Sequence, residues 1–170
     1  MAAETLEPAL PRQVQDKAER VLDAAHEKKL KLATAESCTG GLLAALLTDV
    51  RGRGHVFDRG FVVYSEDAKC DLLGIAREKV ESCGAVSEPV AIEMAQGALR
   101  RSQADIAVSI TGFAGPGAPD DEEGLVHFAC AHRGGETCHR EEHFGKIGRD
   151  GVRIAALETA LEMIGQALEE

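Results

Sequence analysis

Val14, Ala18, Val21, Leu22 and Ala25 recur at the spacing of one helix face with charged residues between them, and predict a first amphipathic helix. Residues 30–34 read as a short strand and the polar, glycine-rich residues 36–41 follow. Leu42, Leu43, Leu46, Leu47 and Val50 then resume helical spacing. A strand, a tight loop and a helix are expected there. Residues 61–64 read as a second strand, and Ser65 is placed to cap a short helix through Ala68, Leu72 and Leu73 that Gly74 closes. Ser87 is placed to cap a further helix, with Pro89 in its first turn and Val90, Met94, Ala98 and Leu99 as its buried stripe. Residues 105–111 predict a third strand. Residues 124–131 and 137–144 predict two more, joined by a two-residue turn at Gly134-Gly135. The last helix starts near Arg149, with Val152, Ala155, Ala156, Ala160, Met163 and Ile164 inward. Residues 1–11 carry two prolines and no periodicity and are expected as a tail, leaving one domain over residues 12–170. Alternating strands and helices with one hairpin predict an α/β three-layer sandwich, a mixed sheet flanked by helices.

Composition narrows the setting. A chain of 170 residues, 44% hydrophobic, closes one core and is too short for two ordinary domains. No apolar run approaches the roughly 20 residues of a membrane span, and the acidic start at Met1-Ala2-Ala3-Glu4 is unlike a targeting segment, so a soluble cytoplasmic protein is expected. A net charge of -10 repels a phosphate backbone, and the absence of Trp, with one Tyr and five Phe, offers no stacking platform. No nucleic-acid partner is expected. The five cysteines are odd in number, scattered and without a Cys-x-x-Cys pair, which fits a reducing compartment.

Candidate chemistry gathers in two glycine-rich loops. Ser37 lies between a strand end and a helix start, where unpaired backbone N–H groups and the helix dipole favour developing negative charge. Thr39 is a second small hydroxyl there, and Gly40 and Gly41 let a substrate approach the backbone. The same residues also suit an ordinary capped turn. A serine needs a base, no histidine is near in sequence, and a lysine kept neutral by burial serves; Lys69, early in a helix, fits. Tyr64 before that helix is placed either to relay a proton or simply to pack at a strand end. The second loop, with Thr111, Gly112 and Gly115, could present N–H groups to a phosphate or carboxylate. Arg149 and Arg153 stand one helical turn apart, either as a phosphate clamp or as solvated surface. Two alternatives stand beside this reading. Cys38 is a candidate nucleophile at a helix N-terminus. A two-residue hairpin turn would set Cys130 opposite His139 with His132 on the same face, a candidate zinc trio.

Four blocks taken in order resemble the CinA C-terminal domain family over about residues 12–168. They are residues 34–41 (Thr-Ala-Glu-Ser-Cys-Thr-Gly-Gly), residues 58–69 (Asp-Arg-Gly-Phe-Val-Val-Tyr-Ser-Glu-Asp-Ala-Lys), residues 84–88 (Gly-Ala-Val-Ser-Glu) and residues 111–117 (Thr-Gly-Phe-Ala-Gly-Pro-Gly). The resemblance implies a nucleophilic Ser37 with Tyr64 and Lys69 completing the catalytic site. It implies hydrolysis of the carboxamide of nicotinamide mononucleotide to nicotinate mononucleotide and ammonia, without metal or cofactor, by a homo-oligomer of the stand-alone single-domain form. The chain departs from the family pattern at Gly52-Arg53-Gly54, where Gly-Ser-Ser is frequent, and at Ile147-Gly148-Arg149, where Gly-Asp-Arg is frequent. His127 also stands where tyrosine is commoner. These departures bear on the phosphate contacts and leave a non-catalytic nucleotide-binding module as the alternative.

Overall fold

The computed structural model describes residues 10–170; the first nine residues of the expected tail lie outside the described residues. Leu10 is buried against the core beside α1 (Arg12–Lys28), whose inward stripe is the predicted Val14, Ala18, Val21, Leu22 and Ala25. Five strands form one sheet in the order β2-β1-β3-β4-β5. β1 (Leu32–Glu36) runs parallel to β2 (Phe57–Val62) on one side and to β3 (Ile106–Gly112) on the other. β4 (Leu125–His132) and β5 (Thr137–His143) complete the sheet antiparallel. It is therefore the mixed sheet expected.

Alternation along the strands sends neighbouring residues to opposite faces. Leu32, Ile106, Val108, Ile110 and Phe128 meet α1, α2 (Leu42–Thr48) and α6 (Arg149–Glu169). Ala33, Ala35 and Ala107 meet α3 (Glu66–Leu73), α4 (Arg77–Cys83) and α5 (Glu88–Arg100). Three layers result, as the pattern predicted. Among the described residues no helix is long and apolar enough to cross a membrane.

Several boundaries differ from expectation, each for a physical reason. β1 lies two residues further along than the expected 30–34, because the buried Ala35 and Glu36 complete it. β2 begins four residues earlier than expected; as an edge strand it tolerates Asp58, Arg59 and Gly60 in exposed or half-exposed positions. α2 stops at Thr48, short of Val50. α4 was not predicted: Val80 is its sole buried residue, so it presents no apolar stripe. Ser65 caps α3 as expected, accepting from the Ala68 N–H. Ser87 takes the N-cap position of α5, but its hydroxyl donates to the Gly84 carbonyl instead of capping.

The β4–β5 hairpin also differs from prediction. His132 still pairs with Ile106 of β3, so the connection is longer than two residues and the register moves by one. Cys130 consequently faces Cys138, while His139 faces Ala129 and projects from the opposite side of the sheet. His139 instead meets His127, with ring nitrogens 3.0 Å apart. The candidate zinc trio is not assembled, and no group of three His, Cys, Asp or Glu side chains among the described residues is arranged to hold a metal ion.

Candidate active site

Ser37 continues β1 by one residue, its N–H donating to the Ile110 carbonyl of β3 at 2.9 Å. The chain then turns through Gly40 (φ 60°) and Gly41 (φ 97°), two successive left-handed residues that a side chain would strain. This sharp reversal brings α2 back over the end of β1. The buried Glu36 carboxylate holds it there. It accepts the Thr39 hydroxyl at 2.7 Å and the N–H groups of Leu43 and Ala44 at 2.8 and 3.0 Å. A negative charge at the first turn of α2 suits both the unpaired amides and the dipole. The N–H groups of Thr39 and Gly41 have no acceptor among the described residues.

Lys69 reaches the same loop from α3. The Ser65 cap starts that helix three residues after β2, and its first turn carries Lys69, whose side chain is buried. Nζ lies 3.0 Å from Ser37 Oγ, 2.8 Å from the Val63 carbonyl and 3.2 Å from the Tyr64 carbonyl. Burial lowers its pKa from 10.5 to about 8. A neutral amine has two N–H groups and one lone pair. The two carbonyls take the N–H groups, and the lone pair is left facing the Ser37 hydroxyl.

The structure gives the other predicted residues different stations. Tyr64 is 69% exposed; its backbone carbonyl, rather than its hydroxyl, contacts Lys69. The Thr39 hydroxyl is spent inside the loop on Glu36. The Thr111 hydroxyl donates to the Ala85 carbonyl at 2.8 Å, tying the segment before α5 to the end of β3. A side chain at Gly112 would collide with the Leu125 carbonyl at 2.7 Å, so this glycine serves β3–β4 contact.

Cys38 turns into the core, and burial pushes its thiol up to about 11. Its burial and raised pKa suit a packing residue.

The α6 arginines divide between the two loops. Arg153 Nε donates to the Cys38 carbonyl at 2.8 Å, and a Cβ on Gly115 would lie 2.7 Å from Arg149 Nη2. The absence of a side chain at Gly115 lets that guanidinium rest on the second loop. A cleft of about 390 Å³ opens beside them, lined by both arginines, Asp150, Leu10, Leu42 and Ile154. A cavity of about 430 Å³ between α1 and α6, lined by Lys17, Leu161 and Leu168 among others, contains none of these residues.

Sequence reasoning missed Glu36 and the two carbonyls that hold Lys69. A carboxylate between Ala35 and Ser37 in an otherwise buried strand was the available signal for the first; main-chain carbonyls leave none.

Comparison with known proteins places this arrangement in a family. The family model described as CinA C-terminal domain matches residues 14–168. The nicotinamide-nucleotide amidohydrolase PncC of Escherichia coli (strain K12) is 45% identical over 150 residues, 87% of this chain and 90% of that one. A CinA-like protein of Akkermansia muciniphila is 52% identical over 113 residues, covering 65% of this chain and 27% of that one. The crystal structure of the competence/damage inducible protein CihA from Agrobacterium tumefaciens superposes with a TM-score of 0.91 at 44% identity, covering all of both chains. The CinA superfamily protein from Escherichia coli superposes at 0.85 with 34% identity, over 91% of this chain and 90% of that one. The chain belongs to the CinA C-terminal domain family.

Proposed function

We propose that the protein is a nicotinamide-nucleotide amidohydrolase that converts nicotinamide mononucleotide and water to nicotinate mononucleotide and ammonia through an acyl intermediate on Ser37. The observation that carries this reading is the buried Lys69 amine, 3.0 Å from Ser37 Oγ and fixed by two carbonyls. The Escherichia coli relative bearing that activity in its name supports the substrate class.

Neutral Lys69 accepts the Ser37 proton as Oγ attacks the carboxamide carbon. The oxyanion that forms is held by backbone N–H groups of the loop, with those of Thr39 and Gly41 unclaimed. The Lys69 ammonium passes its proton to the amide nitrogen, the C–N bond breaks and ammonia leaves. A water then loses a proton to Lys69 and attacks the Ser37 ester, and the proton returns to Oγ as nicotinate mononucleotide is released. Every step uses the protein's own groups. Tyr64 contributes its carbonyl to Lys69 orientation. Arg149 and Arg153, with the second loop around Gly115, hold the nucleotide phosphate.

The test is ammonia release from nicotinamide mononucleotide against release from the phosphate-free riboside. The expected result is turnover of the nucleotide with at least a tenfold higher kcat/KM, about 1.4 kcal/mol from the phosphate contacts. Absence of turnover on the nucleotide, with binding retained, would establish a non-catalytic binding module instead.

A further inference from the structure

Cys130 of β4 and Cys138 of β5 stand directly opposite each other in the antiparallel ladder, so their side chains leave the same face of the sheet. Cys130 is buried in the core under α6, whereas Cys138, on the edge strand, is exposed. We propose that this pair is a modification site for small hydroperoxides, with Cys138 the attacking thiol and Cys130 the resolving thiol that closes a β4–β5 disulfide. The inference does not rest on the amidase reading.

The surroundings select the oxidant. A cavity of about 210 Å³ is lined by Cys130 and Cys138 together with His132, Glu136, Gln166 and Glu170. Two carboxylates and a net charge of -10 repel anionic disulfides of the tripeptide-thiol kind, while hydrogen peroxide is small and neutral and enters. Hydrogen bonding from Cys130 lowers the Cys138 pKa to about 6 and raises that of Cys130, so the exposed member carries the thiolate. The other cysteines lack this arrangement. Cys38 is buried, and the exposed Cys83 has Ser82 Oγ as its side-chain partner, at 3.7 Å.

The chemistry balances in two steps. The Cys138 thiolate attacks one peroxide oxygen, the O–O bond breaks, hydroxide leaves and a sulfenic acid forms. The Cys130 thiol then attacks the sulfenic sulfur, expelling the oxygen as hydroxide, which its own proton converts to water, and the S–S bond forms. The Phe144 N–H donates to the Gly124 carbonyl, and every second pair along the ladder repeats that pattern, which makes Cys130 and Cys138 a hydrogen-bonded pair. Such pairs stand wider than a relaxed disulfide prefers. β5 is paired on one side only and is free to close the gap, and the resulting bond is readily reduced.

The test treats the reduced full chain with stoichiometric hydrogen peroxide at pH 6, followed by alkylation, digestion and mass spectrometry. At pH 6 a thiol of pKa about 6 is half ionised, against about 0.3% for an ordinary thiol near 8.5. After the lower nucleophilicity of the more acidic thiolate is allowed for, Cys138 should react about ten times faster than Cys83. The expected products are a Cys130–Cys138 crosslink in the wild type, a dimedone-trapped sulfenic acid on Cys138 in Cys130→Ser, and neither in Cys138→Ser. Reaction of Cys83 at a rate equal to or above that of Cys138 in the same wild-type sample would overturn the proposal, as would Cys138 oxidation without the crosslink. The wild-type comparison requires no variant to fold.

Discussion

Replacing Lys69 with methionine removes a buried ammonium while keeping an unbranched apolar stem. In the folded protein the amine has a pKa of about 8 against 10.5 for an ordinary lysine. That difference corresponds to about 3 kcal/mol. The sign follows from linkage: the unfolded chain holds this proton more tightly, so folding is penalised while both states are protonated. The penalty fades as pH rises from about 8 to 10.5 and the unfolded lysine also loses its proton. At pH 7 it is about 3 kcal/mol and at pH 10 about 1 kcal/mol, so wild type should gain about 2 kcal/mol on Lys69→Met across that interval. The carbonyls of Val63 and Tyr64 lose their donor in the variant at both pH values, and that cost cancels. Titrations of the remaining groups cancel in the same way. Urea unfolding of both proteins at pH 7 and pH 10 measures the quantity. A stability difference that stays constant within about 0.5 kcal/mol would refute the depressed lysine, and with it the base assigned to Ser37.

Three further outcomes follow from the same geometry. The kcat/KM for nicotinamide mononucleotide should climb tenfold per pH unit below about 8 and level off above it, as Lys69 becomes neutral; a profile flat from pH 6 to 9 would contradict a lysine base. Glu36→Gln puts a donor among three donors and should cost about 1–3 kcal/mol in thermal or urea unfolding, with a lower kcat as the Ser37 loop loosens; unchanged stability would show that the carboxylate is dispensable. Gly115→Ala should displace the flexible Arg149 tip without disturbing the fold, raising KM about tenfold with kcat within twofold; an unchanged KM would remove Arg149 from phosphate binding.

Much of this architecture was legible because burial wrote it in period. α6 buries Val152, Ala156, Ala160, Met163 and Ile164, and the Ser65 cap with Gly74 at the C-terminus fixed α3 to the residue. β2 was misplaced because an edge strand need not be apolar, and α4 was missed because it buries only Val80. The hairpin register failed by one residue. The glycine pair suggested a two-residue turn, whereas pairing of His132 with β3 lengthened the connection, and one residue of slip exchanges the faces. At the site, Ser37 and Lys69 were legible as residue types able to do the chemistry, and their contact spans 32 residues of sequence that no local pattern measures. Glu36 was passed over because its role depends on α2 folding back over β1, and for Tyr64, read as either a proton relay or a packing residue, the contact to Lys69 comes from its carbonyl.

The central claim is that Ser37, and not its neighbour Cys38, carries the acyl group. Ammonia release from nicotinamide mononucleotide by wild type, Ser37→Ala and Cys38→Ser tests it most directly. The account predicts that Ser37→Ala loses at least about a thousandfold in kcat while binding the nucleotide, and that Cys38→Ser keeps kcat within severalfold of wild type. Near-normal ammonia release by Ser37→Ala would contradict it.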